Sequence, residues 1–294
     1  VVGNVTVVPV SDTDKRIMFA YLGDMGGNVY RISGEEVCDI ANTNCYVEPI
    51  GATDPANWLM TKIADLGCPT TTDCVANRKF LFGPDVIRIP ISVQFGFLIG
   101  SGDREKPLQD YSVTLDLQNY FFSLIDAPTV PDSLKAEVGN CSGNEVICFE
   151  SLGKFTWPGV LPEDQILGGT PTDKGWSLEM REGEQIVTGA ITIDNDVKFS
   201  THIPAVPGEC GADYGTATAF SVNYLDASGG ATQFLGGGLV PTPVAGKVIV
   251  DGVRVPFCIG CGGEGSAVGV EKVGGGITWT QPRSRVYWNI DRVK

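Results

Sequence analysis

Tyr21-Leu22-Gly23-Asp24-Met25-Gly26-Gly27-Asn28-Val29-Tyr30-Arg31-Ile32 is the stretch from which the fold can be read. The apolar run Ile17-Met18-Phe19-Ala20 leads into it as a strand, and Asn28 to Ile32 leaves it as another. Between them, Gly-Asp-Met-Gly-Gly-Asn reads as a tight hairpin turn that needs positive φ. Asp24 and Asn28 are the side chains able to hydrogen-bond the local amides and hold that turn.

Units of the same kind return with different spelling. Ile91 to Ile99 reads as a strand ending in Gly100-Ser101-Gly102-Asp103-Arg104-Glu105, and Gly175 to Met180 as a strand followed by the turn Arg181-Glu182-Gly183-Glu184. Three divergent strand–turn units point to the antiparallel four-stranded blades of a β-propeller rather than to one continuous sandwich. The 38 glycines and 18 prolines among 294 residues, with no low-complexity period, fit many short strands joined by turns. The length suits one large β domain spanning 1–294, and no domain boundary is evident. Asn57 to Leu66 is the best helical candidate. No apolar stretch reaches the ~18 residues of a membrane span, so membrane insertion is not expected. A net charge of −14, from 35 acids against 21 bases, repels nucleic acid and anionic lipid. The chain begins with Val and without a signal-peptide pattern, which reads as a segment of a longer precursor.

The nine cysteines are grouped. Cys38 with Cys45, Cys68 with Cys74, and Cys141 with Cys148 each enclose a short polar loop, and are expected to be disulfide staples made in an oxidising compartment. Each contributes about 2–3 kcal/mol by loop-closure reasoning. Cys210, Cys258 and Cys261 remain. A bridge within Cys258-Ile-Gly-Cys261 is tight, so Cys210 is expected to bond Cys258 or Cys261, with one thiol left over.

The remaining chain divides into strands and inserts. Strands are expected over 1–10, 79–91, 94–99, 111–117, 120–125, 185–193, 197–203, 216–225, 247–250, 253–257, 277–279 and 285–290. Hairpin turns fall at Asp194-Asn195-Asp196 and Asp251-Gly252. Residues 34–78 and 127–173 read as irregular inserts, and 227–245 as a glycine-rich connector.

Six segments, in order, resemble the C-terminal β-propeller of PilY1-type proteins, the tip adhesins and biogenesis factors of bacterial type IV pili. Asp24-Met-Gly-Gly-Asn28 with Tyr30-Arg31 resembles the family's "YAGDLxGNxWRF". Phe97 to Pro107 resembles "FGTGDRExP", and Tyr120 to Asp126 resembles "YAIxD". Gly175 to Leu178 followed by Gly183 to Thr188 resembles "GWYLDL…GERVVT". Phe199 to Pro204 followed by Cys210 resembles "FTTxxP…DPC", and Arg285 to Trp288 resembles "RVYWR". The resemblance implies the last three or so blades of a propeller, with earlier blades upstream. It makes Asp24, Asn28, Asp103 and Arg104 blade-turn residues. The family places a calcium loop, DxDxDGxxD, before the first of these strands. Here Asp12 and Asp14 remain, but Lys15 and Arg16 follow them. Calcium takes six to eight oxygens, so a capped polar turn is the expectation there, with weak calcium as the alternative.

Little in the chain suggests chemistry. His202 is the one histidine and has no nucleophile motif beside it, so a packed strand residue is expected. No nucleophile elbow or phosphate loop occurs. Cys258 and Cys261 lack the surroundings of a redox or zinc site. Arg104 is expected to pair with neighbouring acids, and Trp176, Trp279, Tyr287 and Trp288 to pack blades. The resemblance therefore implies a non-enzymatic structural and adhesive module of the pilus, without cofactor. Its partners would be minor pilins of the tip complex and a host or abiotic surface, and its place the cell exterior after export through the periplasm. A fragment of a propeller quinoprotein dehydrogenase and a periplasmic assembly scaffold are the competing classes.

Overall fold

Strand β2 (Ile17–Gly23) carries Phe19 and Tyr21 on one face and Ala20 and Leu22 on the other, and all four are buried. A strand apolar on both faces needs a layer on each side, and it pairs with β1 (Thr6–Pro9) and β3 (Asn28–Ser33). The computed structural model describes residues 3–11, 13–38, 45–68, 77–90, 92–104, 117–130, 132–157, 166–205, 214–234, 237–250, 253–261 and 270–272. The strands expected at 277–279 and 285–290, and most of 111–117, lie outside them.

After β3 the chain makes a two-stranded ribbon, β4 (Glu36–Cys38) and β5 (Cys45–Val47), before returning as β6 (Leu59–Asp65) on the far side of β3. The first sheet thus has the order β1-β2-β3-β6. This corrects two expectations. The helical candidate 57–66 is a strand, because β3 has an edge of unpaired backbone groups that only a neighbouring strand satisfies. Residues 34–78 are therefore not wholly an insert.

The second sheet contains β7 (Asp85–Arg88), β8 (Phe95–Gly100), β9 (Tyr120–Asp126), β10 (Gly153–Thr156), β11 (Leu167–Gly168) and β12 (Gly175–Glu179), in the order β11-β10-β12-β9-β8-β7. β7-β8-β9-β12 is an antiparallel meander like the first sheet, and β10 adds to it parallel to β12. Residues 127–173 thus supply two strands to the blade as well as loops. The third sheet contains β13 (Gln185–Ile186), β14 (Ile191–Ile193), β15 (Asp196–Ile203), β16 (Thr216–Asn223) and β17 (Gly229–Gln233). β14 and β15 meet at the expected turn, with Asp194 at φ 55°. β17 lies inside the segment read as a connector. The fourth sheet holds β18 (Val244–Val250), β19 (Val253–Ile259) and β20 (Val270–Lys272).

The sheets stack face to face, with their first strands together. β1 touches β7, β7 touches β14, and β14 touches β18. A series of antiparallel sheets whose leading strands meet in sequence is the radial arrangement of a β-propeller. Alternation in β9 shows how one blade serves two interfaces. Phe122 and Leu124 join Phe19, Tyr21, Phe95 and Phe97 in the core between the first and second sheets. Phe121 joins Trp176, Phe199 and Phe220 in the core between the second and third. Phe199 stacks between Phe121 and Phe220, with ring centroids 3.9 and 4.8 Å away.

The same joint is used twice between blades. At the end of β2, a Cβ on Gly23 would lie 2.8 Å from Phe80 Cβ; at the end of β8, one on Gly100 would lie 2.5 Å from Ile186 Cγ2. Phe80 and Ile186 lead into the next blade, and their N–H groups donate to Asp24 O (3.0 Å) and Ser101 O (3.1 Å). Glycine is required at both places for close approach.

Candidate functional site

The signature turn closes on one carboxylate. Asp24 Oδ1 accepts from the N–H groups of Gly26 and Asn28, both at 2.8 Å. Asn28 Nδ2 donates to both Asp24 oxygens, and the Tyr30 hydroxyl donates to Oδ2 at 3.3 Å. With its acceptors turned inward, Asp24 is a turn lock. Asp103 pairs with Lys79 at 2.6 Å and takes its own position from Gln185, which accepts its N–H at 2.8 Å. Arg104 lies over the Phe82 ring at 5.8 Å, and Glu105, the acid that follows it, lies outside the described residues.

Asp12 lies outside the described residues. Asp14 faces Arg16, whose Nη2 is 2.7 Å from Oδ2 and whose Nε is 3.1 Å from both oxygens. This contact holds the Asp14 carboxyl below its usual range. A cation would have to displace a bidentate guanidinium to reach it. Among the described residues no three His, Cys, Asp or Glu side chains gather as a metal site.

His202 is buried, with Nε2 2.7 Å from Tyr214 O. Trp176 is buried between blades and donates Nε1–H to Tyr224 O at 3.0 Å. Trp279, Tyr287 and Trp288 lie outside the described residues.

Cys141 and Cys148 form a disulfide with Cα atoms 5.6 Å apart. Cys38 is disulfide-bonded, and the ribbon register places Cys45 opposite it. Cys68 is also bonded; Cys74 and Cys210 lie outside the described residues. Cys258 bonds Cys261, with Cα atoms 5.7 Å apart, which corrects the expected bridge to Cys210. Gly260, at φ 82°, turns the chain back after β19 and brings the two together.

Two polar features were not anticipated. Arg78 is buried and donates to the carbonyls of Leu66 (3.0 Å), Cys68 (3.2 Å) and Gln118 (2.9 Å), with its guanidinium 4.6 Å from the Tyr120 ring centroid. Arg31 on β3 reaches Asp126 on β9 at 2.6 Å, across the interface between the first two sheets. Their separation of 95 residues leaves no local signal in the sequence.

These polar groups are structural; the exposed apolar groups lie elsewhere. The excursion between β3 and β6 projects from the outer side of the first sheet. It presents Tyr46 (58% exposed) and Trp58 (42%), and the first residues of β6 add Leu59 (46%) and Met60 (68%). Glu35, Glu36 and Asp54 are exposed around them. Apolar side chains framed by acids on a rigid sheet are a recognition surface by composition.

No protein-family model and no curated protein matches the chain. Among solved structures it is similar to the PilY1 C-terminal domain of Pseudomonas aeruginosa, with TM-score 0.56 and 12% identity over 91% of this chain. The match covers 60% of that chain's length. At this identity the likeness is one of fold, and the fold is an all-β propeller.

Proposed function

We propose that the chain is a non-enzymatic structural and adhesive module of a type IV pilus, exported and carried at the cell surface with minor pilins. The observation that carries this reading is the likeness of fold to the PilY1 C-terminal domain along 91% of the chain. The disulfides support an oxidising, exported setting. The physics is non-covalent. Interlocked aromatic cores hold the blades rigid, and the excursion presents its exposed side chains without rearrangement of the scaffold. The test is to shear pili from the source cells and to remove the gene in parallel. Co-purification of the protein with the pili, together with fewer pili in the deletion strain, is the expected result. A protein confined to the periplasm, with pilus number unaltered by its loss, overturns the reading.

A further inference from the structure

We propose that the open half of the β6 edge binds a basic, extended segment of another protein as an added strand. This rests on the reading of the excursion as a recognition surface and names the chemistry of its partner.

The outer edge of β6 is half used. Ile147 donates its N–H to Ile63 O and accepts from Asp65 N–H, both at 2.9 Å, forming one parallel rung. β6 bulges at Ile63, and beyond the bulge Thr61 and Leu59 pair with Arg31 and Ser33, the β3 residues that face β6, so it is the N–H and C=O of Met60 and Lys62 that point to the outer side. Among the described residues neither has a partner there. The rung is not continued among the described residues. The Cys141–Cys148 disulfide and the positive φ of Ser142 (53°) and Gly143 (89°) turn the chain upstream of Ile147 away.

The side chains along this half suit a covering strand. Leu59 and Met60 point to opposite faces of the sheet, so an added strand meets apolar surface on both sides. Edges are ordinarily blunted by charge or proline. Here the one base, Lys62, is paired with Asp65 at 2.7 Å.

Charge selects the occupant. Residues 34–65 hold six acids (Glu35, Glu36, Asp39, Glu48, Asp54 and Asp65) and the single base Lys62. Glu35 stands at the start of β6, where its carboxylate accepts from Asn57 Nδ2 at 3.3 Å and its carbonyl accepts from Glu48 N–H at 2.9 Å. A second copy would bring the same acids edge to edge, and like charges oppose that pairing. A strand rich in lysine or arginine, with apolar residues at alternate positions, complements both the charge and the pleat.

The test titrates the full 294-residue chain with two labelled peptides of equal charge, (Lys-Val)5 and (Lys-Ser)5, following fluorescence anisotropy. Met60→Pro removes an outward donor not used by β3, and Met60→Glu places an acid where apolar contact is expected. The wild type should bind (Lys-Val)5 about tenfold or more tightly than (Lys-Ser)5, and each variant should lose about tenfold for (Lys-Val)5, the scale of one rung or one buried side chain. Circular dichroism checks each fold, and Met60→Glu decides alone if Met60→Pro unfolds. Equal affinity for the two peptides, or unchanged binding by the folded variants, means charge alone and overturns the proposal. Dimerisation without peptide that Met60→Glu abolishes assigns the edge to a second copy and overturns it as well. Loss of cell attachment on replacing the ribbon, with the variants binding peptide normally, would leave the recognition reading standing and remove this one.

Discussion

Replacing Arg31 with methionine removes one half of the ion pair that joins the first and second sheets. Arg31 Nη1 lies 2.6 Å from Asp126 Oδ2, with the two side chains 13% and 0% exposed. Among the described residues the Tyr21 hydroxyl, 3.5 Å from the same oxygen, is the other donor to that carboxylate, and Asp126 Oδ1 has no partner. Burial and the neighbouring Asp126 push the Tyr21 phenol far up, so it stays protonated and can donate. One distant hydroxyl does not replace a guanidinium, and an uncompensated buried charge costs about 3–5 kcal/mol. For a chain of 294 residues that lowers Tm by about 5–8 °C if unfolding is two-state. Arg31→Met with Asp126→Leu removes both charges from the apolar interface and should recover most of the loss. Urea denaturation of the two single variants and the double variant measures the coupling. An Arg31→Met cost under about 1 kcal/mol, or a double variant no more stable than Arg31→Met, would refute the view that this pair sustains the interface.

Further outcomes follow from other joints. Lys154 sits 3.1 Å from the Phe149 ring centroid, and burial lowers its pKa from 10.5 to about 8. The unfolded chain then holds that proton more tightly, so stability should rise as pH increases from about 8 to 10.5, and Lys154→Met should flatten this part of the profile. Gly100→Val forces a side chain against Ile186 and should cost about 1–3 kcal/mol or more, with part regained by Ile186→Ala; thermal unfolding of both variants checks it. Non-reducing peptide mapping should return Cys258 linked to Cys261 and Cys141 linked to Cys148; a Cys210–Cys258 peptide would contradict the turn at Gly260.

Features whose causes are local were legible in the sequence. The Asp24 turn needs glycine and a short acceptor within five residues, and the chain shows both. The buried runs of β8 and β9 were evident because both faces are apolar. Elements made by pairing were not evident. β6 spells Leu-Met-Thr-Lys-Ile-Ala-Asp, a helix-compatible string, and it is a strand because β3 offers it an edge. β17 spells Gly-Gly-Ala-Thr-Gln, with no apolar alternation, and is held by β16. The candidate surface was only half visible: the excursion was marked by its cysteines, while the exposed edge beside it was hidden inside the misread helix.

The role of the excursion can be tested on cells. Glu48 N–H donates to Glu35 O at 2.9 Å, so residues 36–47 leave and re-enter at one point and can be replaced by Gly-Ser without moving β6. Attachment to a surface and pilus number are then counted for cells carrying this variant, after circular dichroism and thermal unfolding show it folded. The account predicts a stable fold with attachment or piliation reduced. Unaltered attachment and unaltered pilus number in the folded variant would contradict it.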